Sequence, residues 1–241
     1  MDFSKVKALT FDVGGTILNW HDSVVGQLKS LAEKRSVDAD WPDFANQWRQ
    51  KAAALVIDSR TSDIPLGNME GSNRQTLVET LSDFGITGFS NGDREMICSF
   101  WHDIPAWPDV KAGMERLRRN YILSTLTILS TAGMVRNSKR AGIHWDCIIS
   151  CEMMTHYKFF PEAYQRGCQL LGYKPEEVMM VAAHYHDLEA AAKVGMRTAF
   201  LDRPKEFGDD KQLNAAAAAH GLLKSDIVAT NLQELADALE N

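Results

Sequence analysis

The run Val6-Lys7-Ala8-Leu9-Thr10-Phe11 predicts a buried strand, and directly after it the hydrophobic pattern changes character. From about residue 22 to residue 100, apolar positions recur at helical spacing between polar breaks. Asp22-Ser23 is the expected cap of a first helix. Asp40-Trp41-Pro42 opens a second, with a stripe through Phe44, Trp48, Ala52, Leu55 and Val56 and a proline near its start. Ile64-Pro65-Leu66-Gly67 reads as a turn, and 73–84 and 93–101 as further helices. Pro105-Ala106-Trp107-Pro108 then interrupts the chain. Beyond it, strand and helix alternate. Helices are expected over 110–119, 134–141, 161–171, 186–194 and 232–239, and strands over 121–129, 146–150, 178–183, 197–202 and 227–230. The stretch 178–183 is apolar throughout, the pattern of a strand covered on both faces. Ala215 to Ala219 is expected to be a short Ala-rich helical piece.

This alternation predicts an α/β fold: a doubly wound parallel sheet with a Rossmann-like core and a helical cap inserted after the first strand. The expected division is a core of residues 1–18 and 104–241 and a cap of residues 19–103. Open α/β sheets bind ligands at the carboxyl ends of their strands, so the cleft between core and cap is the expected site.

Composition narrows the partners. The 241 residues are 45% hydrophobic and 24% charged, enough for a sizeable core. Net charge is −6 with no long basic run, which argues against nucleic acid. The N-terminus lacks the basic-then-apolar pattern of a signal peptide, and no apolar run reaches membrane-spanning length, so a cytoplasmic protein is expected. Cys98, Cys147, Cys151 and Cys168 form no C-x-x-C pair and read as reduced, packed thiols.

Polar residues gather at the predicted strand ends. The first strand delivers Asp12 and Thr16 on a turn with Gly14 and Gly15, and the second Ser130-Thr131-Ala132-Gly133. Lys158 and Pro161 follow the third, and His184-Tyr185-His186-Asp187 the fourth. Each has a structural alternative. Asp12 caps a turn, Ser130 or Thr131 caps a helix, Lys158 is solvated, and Asp187 is an acid favoured by a helix dipole. Together, in this order, they point to a reaction centre.

The set resembles the haloacid dehalogenase superfamily, with Asp12 as nucleophile, Ser130 or Thr131 as the second motif, Lys158 as the third and Asp187 as the fourth. The phosphatases of that superfamily carry a second Asp two residues after the nucleophile; here that position is Gly14. The chain is more similar to the type II (S)-2-haloacid dehalogenases, which lack that acid and use neither metal nor cofactor. Their Asp-x-Tyr-Gly-Thr corresponds to Asp12-Val13-Gly14-Gly15-Thr16. Their cap sequence Trp-Arg-Gln-Lys, with its halide-binding arginine, corresponds to Trp48-Arg49-Gln50-Lys51. Their Leu-Ser-Asn-Gly corresponds to Leu129-Ser130-Thr131-Ala132-Gly133, and their Tyr-Lys-Pro with a later Tyr to Tyr157-Lys158, Pro161 and Tyr164. His184 stands where they carry Asn, and Ala182 where they often carry Ser.

The resemblance implies that Asp12 displaces halide from C2 of a small 2-haloacid to form an ester, which water then hydrolyses with inversion. Arg49 would hold the halide, Ser130, Thr131 and Tyr164 would bind substrate, and Lys158 would neutralise Asp12 and Asp187. Asp187, with His184, would position or activate water. Trp20 and Trp48 are candidate pocket walls, and Gly14 implies a larger or rearranged pocket. The implied partners are a small carboxylic acid and halide, and the resemblance admits a homodimer. Other leaving groups at C2, a strained ring, a phosphatase and a catalytically silent binding protein stay open. An actin-like sugar kinase shares Asp-x-Gly-Gly-Thr, but the helical block that follows does not suit its hairpin.

Overall fold

The computed structural model of the protein describes residues 2–57, 59–63, 68–208 and 224–240. Among them, strands β1 (Ala8–Phe11), β2 (Ile122–Thr125), β3 (Val178–Ala182), β4 (Arg197–Leu201) and β5 (Ile227–Ala229) form one parallel sheet in the order β2-β1-β3-β4-β5. The apolar runs explain the order. Every residue of β1 and β3 is buried, and these two strands lie inside the sheet. The chain leaves β1 for β2 on one side and returns to β3 on the other, so β1 and β3 flank the topological switch point. Ala8 registers with both Ile122 and Val178, and the Asp12 amide extends the pairing by donating to Val181 O at 2.9 Å. The turn after β1 is therefore held where the strand order reverses.

Between β1 and β2 come α1 (Trp20–Arg35), α2 (Trp41–Val56), α3 (Met69–Asp83) and α4 (Asn91–Ser99). Asp40 caps α2, accepting from the Asp43 amide at 3.1 Å, with Pro42 in the first turn. Ser90 and Asp93 form a reciprocal capping box on α4. The cap of α1 differs from expectation. The helix begins two residues before Asp22, and the Asn19 side-chain Nδ2 donates to Asp22 at 2.9 Å. Aromatic residues fill the interior of this block: Trp41, Phe44, Trp48 and Trp101 contact one another or neighbouring rings at centroid distances of 5.3–6.3 Å.

The remaining helices are α5 (Val110–Leu117), α6 (Thr131–Ala141), α7 (Pro161–Leu171), α8 (Tyr185–Lys193) and α9 (Leu232–Glu240). Pro161 opens α7, and Gly172, at φ 76°, closes it in the left-handed conformation that glycine adopts without strain. The expected strand at 146–150 does not form. Cys147 and Ser150 make single parallel bridges to Ser124 and Thr127, because this stretch lies beside the short edge strand β2. The expected turn at 64–67 and the helical piece at 215–219 lie outside the described residues. The four cysteines are free thiols, and burial pushes Cys151 up to about 12, which keeps it protonated. No helix among the described residues is long and apolar enough to cross a membrane.

Candidate active site

Asp12 follows β1 directly, and the strand geometry sets its carboxylate at the switch point. Its Oδ1 accepts from Lys158 Nζ at 3.1 Å. Its Oδ2 accepts from Thr16 Oγ1 at 2.7 Å and faces His184 Nδ1 at 3.1 Å. Thr16 is fixed in turn because its hydroxyl accepts from the Ala183 amide at 2.9 Å. Lys158 Nζ also donates to Asp187 Oδ2 at 2.6 Å, and the Tyr164 hydroxyl donates to Asp187 Oδ1 at 2.6 Å. Lys158 and Asp187 are 2% and 1% exposed, so this is a buried charge cluster. Each charge there must be compensated by a neighbour, because water does not screen it.

Burial by itself would raise the Asp12 pKa, but Lys158, His184 and Thr16 outweigh it and hold the carboxyl well below the usual range. Asp12 is thus an ionised carboxylate at neutral pH. Burial, opposed by the Lys158 charge but reinforced by that of Asp12, raises Asp187. Burial disfavours the charged ring of His184, yet Glu206 and Asp12 outweigh it and raise its pKa to about 10.

A cavity of about 920 Å³ opens over this cluster, lined by Asp12, Gly14, Lys158, His184 and Asp187 on the core side. Asn46, Arg49, Gln50, Ala53, Ala54 and Ile57 line its other side. Their spacing is one helical face of α2, opposite the stripe of Phe44, Trp48, Ala52 and Val56 that packs inward. Ile128, Leu129, Phe159 and Phe207 add an apolar wall. Arg49 reaches the turn that carries Asp12: its Nη2 donates to Gly14 O at 3.1 Å, and its guanidinium lies 5.3 Å over the Trp20 ring. Its Nε, though buried, has no partner among the described residues. A Cβ at Gly14 would stand 3.3 Å from Nη2. The expected space beside Gly14 is therefore occupied by the arginine, so the pocket is rearranged.

Several expected binding residues are not brought to the cavity. Ser130 caps α6, accepting from the Gly133 amide at 3.0 Å, and its hydroxyl donates to Glu70 at 2.6 Å. The Thr131 amide donates to Glu152 at 2.6 Å. Neither Ser130 nor Thr131 is among the residues that line the cavity. Tyr164 is fully buried behind Asp187, donates to that acid and does not line the cavity. Trp48 is buried in the aromatic cluster with its N–H on Asn73 O, and Trp20 lies beneath Arg49; neither forms a wall.

The residue-level reading missed Glu206. It lies in the turn after β4, is 1% exposed, and its Oε1 is 2.9 Å from His184 Nε2 and accepts from Trp20 Nε1 at 3.2 Å. Arg203 ties this turn to the first one by donating to Thr16 O at 3.0 Å, while its guanidinium pairs with Asp109. The available signal was position: an acid just past another parallel strand end reaches the same rim. Glu206 also accounts for Gly15. At φ 97° that residue suits glycine, and a Cβ there would lie 1.9 Å from Glu206 Oε1. Gly15→Ala is expected to cost at least about 1–2 kcal/mol in stability, measured by urea unfolding. Wild-type stability in that variant would show that the turn and Glu206 can separate freely.

A family model described as haloacid dehalogenase-like hydrolase matches residues 6–195. The (S)-2-haloacid dehalogenase 4A of Burkholderia cepacia is 25% identical over 226 residues, covering 84% of this chain and 87% of the relative. Pyrophosphatase PpaX of Bacillus cereus is 22% identical over 200 residues, covering 81% and 82%. The crystal structure of the L-2-haloacid dehalogenase PA0810 matches with a TM-score of 0.88 at 32% identity, over 98% of this chain and 99% of that one.

Proposed function

The chain belongs to the haloacid dehalogenase-like hydrolases, and on that premise we propose that it cleaves the carbon–halogen bond of small 2-haloalkanoic acids through an ester on Asp12. One observation carries this choice over phosphoryl transfer. The position two residues after the nucleophile is Gly14, which has no acid, and the Arg49 guanidinium occupies the space beside it. An arginine there cannot protonate an alkoxide leaving group, whereas it can stabilise a departing anion.

In this mechanism Asp12 Oδ1, which has a single bonded partner, attacks C2. The new C–O bond forms as the carbon–halogen bond breaks, and halide leaves with the electron pair toward the Arg49 guanidinium, which lines the cavity. Apolar residues around the cavity limit competing water in this step. Water then attacks Asp12 Cγ while Asp187, raised by burial, takes its proton. The bond from Cγ to the substrate oxygen breaks, the proton passes to that oxygen, and a 2-hydroxy acid leaves with inverted configuration. Asn46 and Gln50, on the cavity face of α2, supply neutral groups for the substrate carboxylate. Residues 19–103 act as the cap over the core in this reading.

The test is halide release from (S)- and (R)-2-chloropropanoate with chelator present. The (S) substrate is expected to give chloride and (R)-2-hydroxypropanoate, and Arg49→Gln to lower the rate about 10²–10³-fold. Release of phosphate from phosphate esters, with no halide from either enantiomer, would overturn the proposal.

A further inference from the structure

Both ring nitrogens of His184 face carboxylate oxygens: Nδ1 lies 3.1 Å from Asp12 Oδ2 and Nε2 lies 2.9 Å from Glu206 Oε1. Carboxylates accept hydrogen bonds and do not donate them, so both contacts are satisfied together only when both nitrogens carry hydrogen. Glu206 needs the same arrangement. It is 1% exposed, its other polar contact is the neutral Trp20 N–H, and its Oε2 has no partner among the described residues. A buried carboxylate requires a counter-charge, and the His184 ring is the cation bonded to it. The raised pKa of His184 agrees with this geometry.

We propose that Glu206 is a positioning residue that holds His184 as a doubly protonated donor, so that His184 Nδ1–H and Thr16 Oγ–H together stabilise the oxyanion on Asp12 Oδ2 during ester hydrolysis. The assignment rests on the ester mechanism above and changes the role of His184 within it. A ring with a proton on each nitrogen cannot act as a base, which leaves water activation to Asp187. When Oδ1 forms the ester, Oδ2 becomes its carbonyl oxygen. Attack by water moves the carbonyl electrons onto Oδ2, where the two donors already point. Collapse of the intermediate returns those electrons, breaks the Cγ–Oδ1 bond and frees the hydroxy acid.

Glu206 matters most in this second half-reaction. Once Asp12 is an ester its negative charge is gone, and His184 then keeps its charge through Glu206. The titratable groups facing the ring are Asp12 from the β1 turn and Glu206 from the β4 turn, with Lys158 and Asp187 beyond Asp12.

Two measurements test the proposal. The first needs no substrate: ring-nitrogen NMR of His184 should show an imidazolium in the wild type at pH 8 and, in Glu206→Gln, where Asp12 alone still faces the ring, a charge lost at lower pH than in the wild type. A neutral ring in the wild type at pH 8, or the same titration in Glu206→Gln, overturns the proposal whatever the reaction is. The second follows a single turnover of chloroacetate. Glu206→Gln should keep the burst of chloride but slow ester hydrolysis about 10–100-fold, with the acylated protein accumulating by intact mass and recovering partly at pH 6. His184→Asn keeps one neutral N–H donor, so adding Glu206→Gln to it should change hydrolysis less than twofold. Unchanged hydrolysis in folded Glu206→Gln, or a loss confined to the chloride burst, overturns the proposal. Absence of chloride release by the wild type instead removes the dehalogenase reading and leaves the NMR result to decide the assignment.

Discussion

Asp12→Asn is expected to abolish halide release, by about 10⁴–10⁶-fold, while leaving the fold intact. The loss follows from chemistry, since a neutral amide is a poor nucleophile toward carbon and no other acid lining the cavity substitutes for it. Asp187 is held by Lys158 and Tyr164 on its two oxygens, and Glu206 is turned away toward His184 and Trp20. The intact fold follows from charge. The bonded group Asp12, Asp187, Glu206, Lys158 and His184 carries three acids against two bases. Asp12 is the excess anion. Removing its charge leaves Lys158 matched with Asp187 and His184 matched with Glu206. Intact-mass analysis after substrate addition should show an adduct on the wild type and none on the variant. Halide release at more than one hundredth of the wild-type rate would show that Asp12 is not the nucleophile.

Lys158→Met has the opposite profile, with stability and activity both lost. Removing one partner of a buried ion pair costs about 3–5 kcal/mol, because the charge left behind is uncompensated. Here two carboxylates are left facing each other at a position 2% exposed. For a chain of this length the melting temperature should fall roughly 6–20 °C. The deficit should depend on pH. Asp12 is depressed below 3.8 in the wild type, so its contribution is complete above the ordinary carboxyl range and fades only as the pH falls through its lowered value. Lys158 is raised above 10.5, so its contribution is complete below that and is lost as the pH rises past its raised value. Asp187 is raised and acts in the opposite sense, costing stability when it ionises. Lys158→Met should therefore be weakest at neutral and alkaline pH and approach the wild type in acid, as the stranded carboxyls take up protons. Adding Asp187→Asn should recover part of the loss. A single variant that melts within 2 °C of the wild type at pH 7.5 would contradict the buried-cluster account.

Much of the sheet and of the reaction centre was legible in the chain. The apolar runs at 8–11 and 178–182 became β1 and β3, and Asp12 and Asp187 follow those strand ends as expected. Asp40 and Pro42 marked the start of α2, and Pro161 and Gly172 bounded α7. Such signals are short-range: a cap bonds an amide three residues away, and burial on both faces leaves a continuous apolar run. The stretch 146–150 was misread because an apolar run reports burial and not ladder pairing, and its neighbours offered it single bridges.

The sequence by itself determined the order of elements, the turn that presents Asp12, and the presence of a lysine, a second acid and an arginine on the helix that became α2. Tertiary structure alone decided which of these meet. Ser130 could cap a helix or bind a substrate, and the arrival of Glu70 turned it away from the cavity. Gly14 could leave a void or admit a neighbour, and Arg49 filled the place. His184 could be base or acid, and Glu206, 22 residues further along, fixed it between two carboxylates. The physical reason is common to these cases. A pattern along the chain encodes which surface is buried, whereas a buried polar atom takes its role from whatever partner packing places within about 3 Å of it.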